Sequence, residues 1–312
     1  MSDRVAPWSF AAPWGGTSHL VDLGGPVHWV DFGGRSAAAT FVLVHGLGGS
    51  HLNWALVAPS LTGRGRVVAV DLAGFGLTPA DGRPTTVGAN ARLLGRFVRE
   101  VIGPPVILVG NSMGGMVCVL HTNARPDTVS GLVLVDPSLP VPPRLPDPRV
   151  AGPFLAYAVP VVGERYLSWS RSRRSSRQLV QQVVDLCFAD PSRASAALLD
   201  AATDLAEHRR DMPGQHAAFL QAARSLMFLL ARPGRYPALL RALDLPVLLV
   251  HGERDRLVPV AAARAALAGN PGWDSAFLAG VGHSPQLEAP HDVARHLTGW
   301  LDRHHLASQR IG

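Results

Sequence analysis

The sequence predicts an α/β fold: a mostly parallel central sheet with helices on both faces, an N-terminal antiparallel hairpin, and a mainly helical cap inserted after the sixth strand. Three observations predict it. Continuous apolar runs alternate with amphipathic stretches, the pattern of right-handed βαβ units. Two alternating runs precede them, divided by Gly24, Gly25 and Pro26. A proline-rich break then interrupts the alternation, which resumes only near residue 236.

In chain order, "SHLVDLGG" and "VHWVDFGG" read as the hairpin, with the glycines and proline supplying its turn. "TFVLVHG" is an unbroken apolar run ended by Gly46, which suits a central strand buried on both faces. "RVVAVDLAG" and "PVILVGNS" repeat that pattern. Between them Val87, Ala91, Leu94, Val98 and Val101 mark one face of a helix capped by Thr85 or Thr86. A further helix is expected from Ser112 to about His121, followed by the strand "VSGLVLVDP". Six prolines between Pro137 and Pro148 exclude a regular helix and mark a linker. Residues 140–235 read as mainly helical, and "FLAYAVPVVG" and "SLMFLLA" are apolar enough to face a cavity or pack on the main domain. A helix then leads into the strand "PVLLVHG". The short strand "SAFLAG" and an amphipathic helix carrying Val293, Leu297, Trp300 and Leu301 complete the chain. The expected division is a core of residues 1–139 and 236–312 with a cap of residues 140–235. Such an insertion lies over the carboxyl ends of the strands, where parallel sheets bind ligands.

A chain of 312 residues is long enough for a large α/β domain. With 47% hydrophobic and 17% charged residues it reads as well folded rather than disordered. It contains no lysine, so all 29 basic residues are arginine. That excludes a P-loop lysine, a Schiff-base lysine and a kinase-type lysine. The net charge of +6 hints at acidic partners. The one dense basic cluster, "RSRRSSR" from Arg171 to Arg177, reads as a solvated face; without interleaved aromatics or a nucleic-acid motif, no nucleic-acid partner is expected. Cys118 and Cys187 sit in apolar stretches and read as buried thiols of a reducing compartment. No signal peptide is recognisable, and no apolar run approaches the ~18 residues of a membrane span. The expected location is cytoplasmic.

The chemistry concentrates at "GNSMG". It matches G-x-S-x-G between a strand and a helix, with Ser112 at the bend. A turn tight enough to lift the serine hydroxyl from the sheet strains its backbone and brings its neighbours too close for side chains. The helix start also aims N–H groups and a positive dipole end toward the serine. "HGLGG" follows the third expected strand and places the Leu47 amide beside that of Met113, two donors for an oxyanion hole. Losing one such donor costs about 3–4 kcal/mol of barrier. "HGERDRLVP" puts Asp255 just past a strand, and "GVGHSPQLEAP" puts His283 in the loop after the last one. Serine, acid, histidine is the chain order this topology requires. His283 would take and return the serine proton, with Asp255 holding its tautomer.

The motifs "HGLGG", "DLAGFGLT", "GNSMGG" and "GERD" with "GHSPQLEAP" together resemble the α/β-hydrolase fold family. The similarity is to its capped branch of esterases, epoxide hydrolases, haloalkane dehalogenases and carbon–carbon bond hydrolases. It covers nearly the whole chain outside residues 140–235. The resemblance implies a nucleophile at Ser112, a base at His283, an acid at Asp255 and oxyanion donors at Leu47 and Met113. It implies no cofactor and no metal.

Other polar residues carry simpler readings. Asp136 is the rival acid, or a turn-forming Asp-Pro. Asp71 reads as a turn residue, and His45 as a shaper of the oxyanion loop. His51 and Asn53 suit either substrate contact or a helix start. His216, His291, His304 and His305 lack metal-ligand spacing with carboxylates and read as surface residues.

Relatives that are dehalogenases and epoxide hydrolases use aspartate at the bend, so a serine turns the expectation elsewhere. The favoured reading is hydrolysis of carboxylic esters of small apolar molecules through an acyl-enzyme. The alternative is carbon–carbon cleavage of a vinylogous diketone. That group usually places tryptophan after the catalytic histidine, where this chain has Ser284. A non-catalytic ligand receptor on the same fold is the reading from another class.

Overall fold

The computed structural model describes residues 4–6, 9–35, 39–140, 148–232 and 234–306. Nine strands form one sheet: β1 (Arg4–Val5), β2 (Thr17–Asp22), β3 (Pro26–Asp31), β4 (Thr40–Val44), β5 (Arg66–Val70), β6 (Val106–Asn111), β7 (Val129–Val135), β8 (Val247–Gly252) and β9 (Asp274–Leu278). Their order is β1-β2-β3-β5-β4-β6-β7-β8-β9. β1 to β3 run antiparallel and β3 joins β5 antiparallel; every pairing from β5 through β9 is parallel. The hairpin is β2–β3. The two-residue β1 (Arg4 beside Leu20, Val5 beside His19) makes β7, not the sixth strand, the one that precedes the helical insertion. Two residues are too few to leave an alternating pattern in sequence.

The continuous apolar runs have a plain cause. In β4, Phe41 and Leu43 enter one hydrophobic core while Val42 and Val44 enter the other. β8 repeats this, with Val247 and Leu249 on one side and Leu248 and Val250 on the opposite side. A strand covered on both faces has no solvent side on which to place polar residues.

Among the described residues there are twelve α-helices: α1 (Ala58–Leu61), α2 (Val87–Phe97), α3 (Met113–Ala124), α4 (Pro148–Ala158), α5 (Val162–Arg173), α6 (Ser176–Cys187), α7 (Ala196–His208), α8 (Gln215–Leu230), α9 (Arg235–Arg241), α10 (Val260–Ala268), α11 (Pro285–Glu288) and α12 (Pro290–Arg303). Thr86 is the cap of α2, its hydroxyl accepting from the Ala89 amide at 3.2 Å. α2 and α3 cover one core; α12 covers the other with Val293, Leu297, Trp300 and Leu301, as the periodicity predicts. Helices α4 to α8 lie between β7 and β8, and α7 and α8 send Leu198, Leu205, Ala222 and Leu226 into the two cores.

One expectation about the apolar stretches changes and one holds. In "FLAYAVPVVG", Leu155, Val159, Val161 and Val162 face solvent rather than a cavity or the main domain. In "SLMFLLA", Leu226 enters a core and Leu229 and Leu230 pack against it, as expected, while Phe228 is exposed. Cys118 is fully buried, whereas Cys187 is only half-buried; both thiols are free. Among the described residues no helix is long and apolar enough to cross a membrane.

Candidate active site

Ser112 stands between β6 and α3 with φ 53° and ψ −120°. A positive φ is strained for any residue with a Cβ. Three glycines make the bend possible. A Cβ on Gly114 would lie 2.3 Å from the Val44 carbonyl oxygen, and one on Gly110 would lie 2.7 Å from the Gly114 backbone. One on Gly46 would lie 3.1 Å from the Ser112 Cβ, so the loop after β4 runs directly against the serine. The bend is pinned on both sides. The Ser112 amide donates to the Val135 carbonyl at 3.1 Å, and its own carbonyl accepts from Gly115 and Ser138. Ser112 is half-buried between the buried Asn111 and Met113, so its side chain is not sealed into the core.

The loop that carries Leu47 is held by its histidine. His45 is fully buried; its Nδ1 bonds the Gly46 carbonyl at 2.8 Å, and its Nε2 accepts from the Leu72 amide at 3.0 Å. Burial depresses its pKa to about 4, which keeps the ring neutral. Asn53 closes a capping box with Ser50 at the next helical turn. The amides of Leu47 and Met113 donate to no acceptor among the described residues.

Beneath this loop lies an arrangement that sequence reading misses. Asp71, read from sequence as a turn residue, is fully buried. Its carboxylate accepts from the amides of His51 (2.6 Å) and Leu77 (2.7 Å). The Nδ1 atoms of His28 and His51 lie 2.8 and 3.0 Å from its Oδ2. Burial pushes the carboxyl up, but these histidines outweigh it and hold Asp71 well below the usual carboxylate range. The carboxylate thus ties β3 to the segment that follows β4. The only sequence signal is a lone histidine in the apolar run "VHWVD".

His283, in the loop after β9, meets Asp255 with Nδ1 and Oδ2 2.7 Å apart. Its amide donates to the Cys187 carbonyl at 2.6 Å. Its carbonyl accepts from Asn111 Nδ2 at 3.3 Å, linking the histidine loop to the residue before Ser112. Among the described residues no hydrogen bond joins the Ser112 hydroxyl to the His283 ring. Asp255 is fixed by the amides of Leu257 (2.7 Å) and Val258 (3.0 Å) on its Oδ1.

Asp136 arrives at the same place from the end of β7, with φ 40° and its Oδ1 accepting from the Gly252 amide at 3.0 Å. Ligand-capable atoms of Asp136, Asp255 and His283 all fall within 4.8 Å of one another, as do those of His28, His51 and Asp71. Both sets have the residue types of metal centres, but Asp255 already meets His283, and Asp71 meets His28 and His51, at hydrogen-bond distance. Burial, then the neighbouring Asp255 charge, pushes Asp136 well above the carboxylate range. Burial also acts against Asp255, but His283 more than offsets it and leaves that carboxyl below its ordinary value. His251 Nδ1 lies 3.5 Å from Asp136; burial lowers its pKa and keeps it neutral. Glu288, in α11, accepts from Ala189, Asp190 and Gly282, clamping the histidine loop to the end of α6.

The remaining histidines divide. His291 and His305 are exposed and His216 is half-buried. His304 is not a free surface residue: its Nε2 pairs with Asp274 Oδ2 at 2.6 Å.

This sheet order, with a strained serine after β6 and a His–Asp pair after β9 and β8, defines a hydrolase scaffold. A sequence profile of the alpha/beta hydrolase family matches residues 41–296, and the chain belongs to that family. It is 30% identical over 267 residues to the dihydrolipoyllysine-residue acetyltransferase component of the acetoin cleaving system of Cupriavidus necator, covering 84% of this chain and 64% of that protein. It therefore spans less than two thirds of that relative. It is 27% identical over 261 residues to a 2-hydroxy-6-oxononadienedioate/2-hydroxy-6-oxononatrienedioate hydrolase of Cupriavidus pinatubonensis, covering 81% of this chain and 83% of the relative. In fold it is similar to Cfl2 of Burkholderia cenocepacia, with a TM-score of 0.78, 23% identity, and coverage of 96% and 99% of the two chains.

Proposed function

We propose that this chain is a serine hydrolase that cleaves carboxylic esters of small apolar molecules through an acyl-enzyme on Ser112. The observation that carries the reading is the strained backbone of Ser112, which no turn requires unless the hydroxyl is used. His283 serves as base, its Nδ1 committed to Asp255 and its Nε2 left for the serine proton. Contacts between nucleophile and base are often long before substrate binds and close in the Michaelis complex. The hydroxyl attacks the ester carbonyl, the Leu47 and Met113 amides hold the oxyanion, and His283 returns the proton to the departing alkoxide. Water activated by the same ring then releases the acid.

Helices α4 to α8 act as the cap, the insertion of residues 140–235, with α7 and α8 packed on the core. In support, the described residues between 148 and 232 contain no strand. Phe219 of α8 reaches over the oxyanion loop: a Cβ on Gly48 would lie 3.3 Å from its ring. Tyr157 of α4 stacks edge-on against Phe219 with ring centroids 5.2 Å apart. These rings give the acyl or alcohol group an apolar wall.

Turnover of short p-nitrophenyl esters, lost in Ser112→Ala, tests the proposal. Binding without turnover and an unreactive Ser112 would instead mark a receptor. A second reading, carbon–carbon bond hydrolysis, is favoured by the 27% identity to the dienedioate hydrolase. Cleavage of a ring-fission dienoate with no activity on any ester selects it.

A further inference from the structure

The stretch from Leu155 to Val184 combines two surface properties. The first is exposed apolar area. Val161 and Val162 are 65% and 48% exposed at the turn between α4 and α5, beside the exposed Leu155 and Val159. Val161 has φ 68°, a conformation rare for a β-branched residue. Trp169 is 50% exposed one helix further along. The second property is charge. The stretch holds five arginines against one acidic residue, Glu164, and that carboxylate is already paired with Arg224 at 3.1 Å.

On α5 the two properties share one stripe. Val162, Arg165, Trp169 and Arg173 follow at spacings of three, four and four, and all four are exposed. Gly163 and Ser170, about a quarter turn round the helix from that stripe, are buried. Neither Arg165 nor Arg173 meets a carboxylate among the described residues. Arg174 lies over the Trp169 ring at 5.5 Å.

Adjacent exposed valines on a globular protein mark a contact surface. A second copy of this chain fits badly, because a two-fold contact sets the same arginines against each other. An acidic surface with an apolar layer beneath fits both properties. Valine and tryptophan enter the acyl boundary while the guanidinium groups stay at phosphate level.

We propose that the Val159–Val162 turn and the exposed stripe of α5 form a docking face for an anionic phospholipid bilayer. The face is independent of Ser112 and of the reaction proposed there.

Sedimentation of the full chain with vesicles tests it. Vesicles of phosphatidylcholine alone are compared with vesicles that also contain phosphatidylglycerol, at low and high salt. The expected result is partition favouring the anionic vesicles by more than about tenfold, weakening as salt is raised. Two double variants, Val161→Asp with Val162→Asp and Arg165→Glu with Arg173→Glu, should each lose that preference while keeping the wild-type melting transition. No preference for anionic vesicles, or variants that fold and bind like wild type, overturns the proposal. So does a solution dimer that the valine variant splits, which assigns the face to a second copy.

Discussion

Asp136 and Asp255 converge on the His283 ring from the ends of neighbouring strands, yet only Asp255 hydrogen-bonds it, at 2.7 Å. Two carboxyls this close in a dry interior do not both ionise. The Asp255 charge is fixed by two backbone amides and the ring. Among the described residues Asp136 accepts from one backbone amide, and its Oδ2 has no hydrogen-bond partner. These contacts favour the charge on Asp255, whose carboxyl lies below its ordinary value, and burial beside that charge opposes it on Asp136, which lies above.

That division sets a kinetic contrast. Asp255→Asn should lower kcat by roughly 10³–10⁴-fold, because an amide does not hold the imidazole tautomer. Asp136→Asn keeps an acceptor for Gly252 and should leave kcat within a few fold. Initial rates on one ester suffice, and the reverse order of the two variants moves the acid to Asp136.

The same division makes stability depend on pH. The folded-state pKa of Asp136 is raised, so its contribution is greatest below the ordinary carboxylate value of about 4 and declines as pH rises above it. Asp136→Asn removes that decline. Urea midpoints at pH 5 and pH 8 should show the variant gaining on wild type at the higher pH; parallel behaviour contradicts the assignment.

Asp71→Ala leaves two ring nitrogens and two backbone amides without their shared acceptor. The expected loss of stability is about 3–5 kcal/mol, read from urea unfolding. A loss under about 1 kcal/mol would mean that the cluster is not holding the segment after β4 in place.

Ser112→Gly separates strain from chemistry. Glycine adopts φ 53° without the steric penalty, so the variant should be more stable by roughly 1–2 kcal/mol and wholly inactive. Thermal unfolding together with an ester assay reads both effects. Equal or lower stability argues against strain at the bend.

Phe219→Ala should raise KM for esters with long acyl chains about tenfold and leave short acetyl esters nearly unchanged, as expected for loss of apolar contact. A loss confined to kcat would place Phe219 in another role.

The parallel strands were legible because burial on both faces writes itself as unbroken apolar runs, and the strand-end positions of Ser112, Asp255 and His283 because each follows such a run. Other features depend on tertiary contact. Asp71, His28 and His51 come from three separate segments, and nothing local announces that they share a carboxylate. Likewise, His304 finds Asp274 only because α12 packs beside β9. The valines of "AVPVVG" have the composition of a core segment, and composition does not distinguish a face packed inside from one held ready for a partner. The two-residue β1 is too short to carry any period.

The most direct measurement is peptide mapping by mass spectrometry after treatment with a fluorophosphonate. The account predicts a single covalent adduct on Ser112, formed with loss of esterase activity. An adduct on another residue, or full activity with Ser112 unmodified, contradicts it.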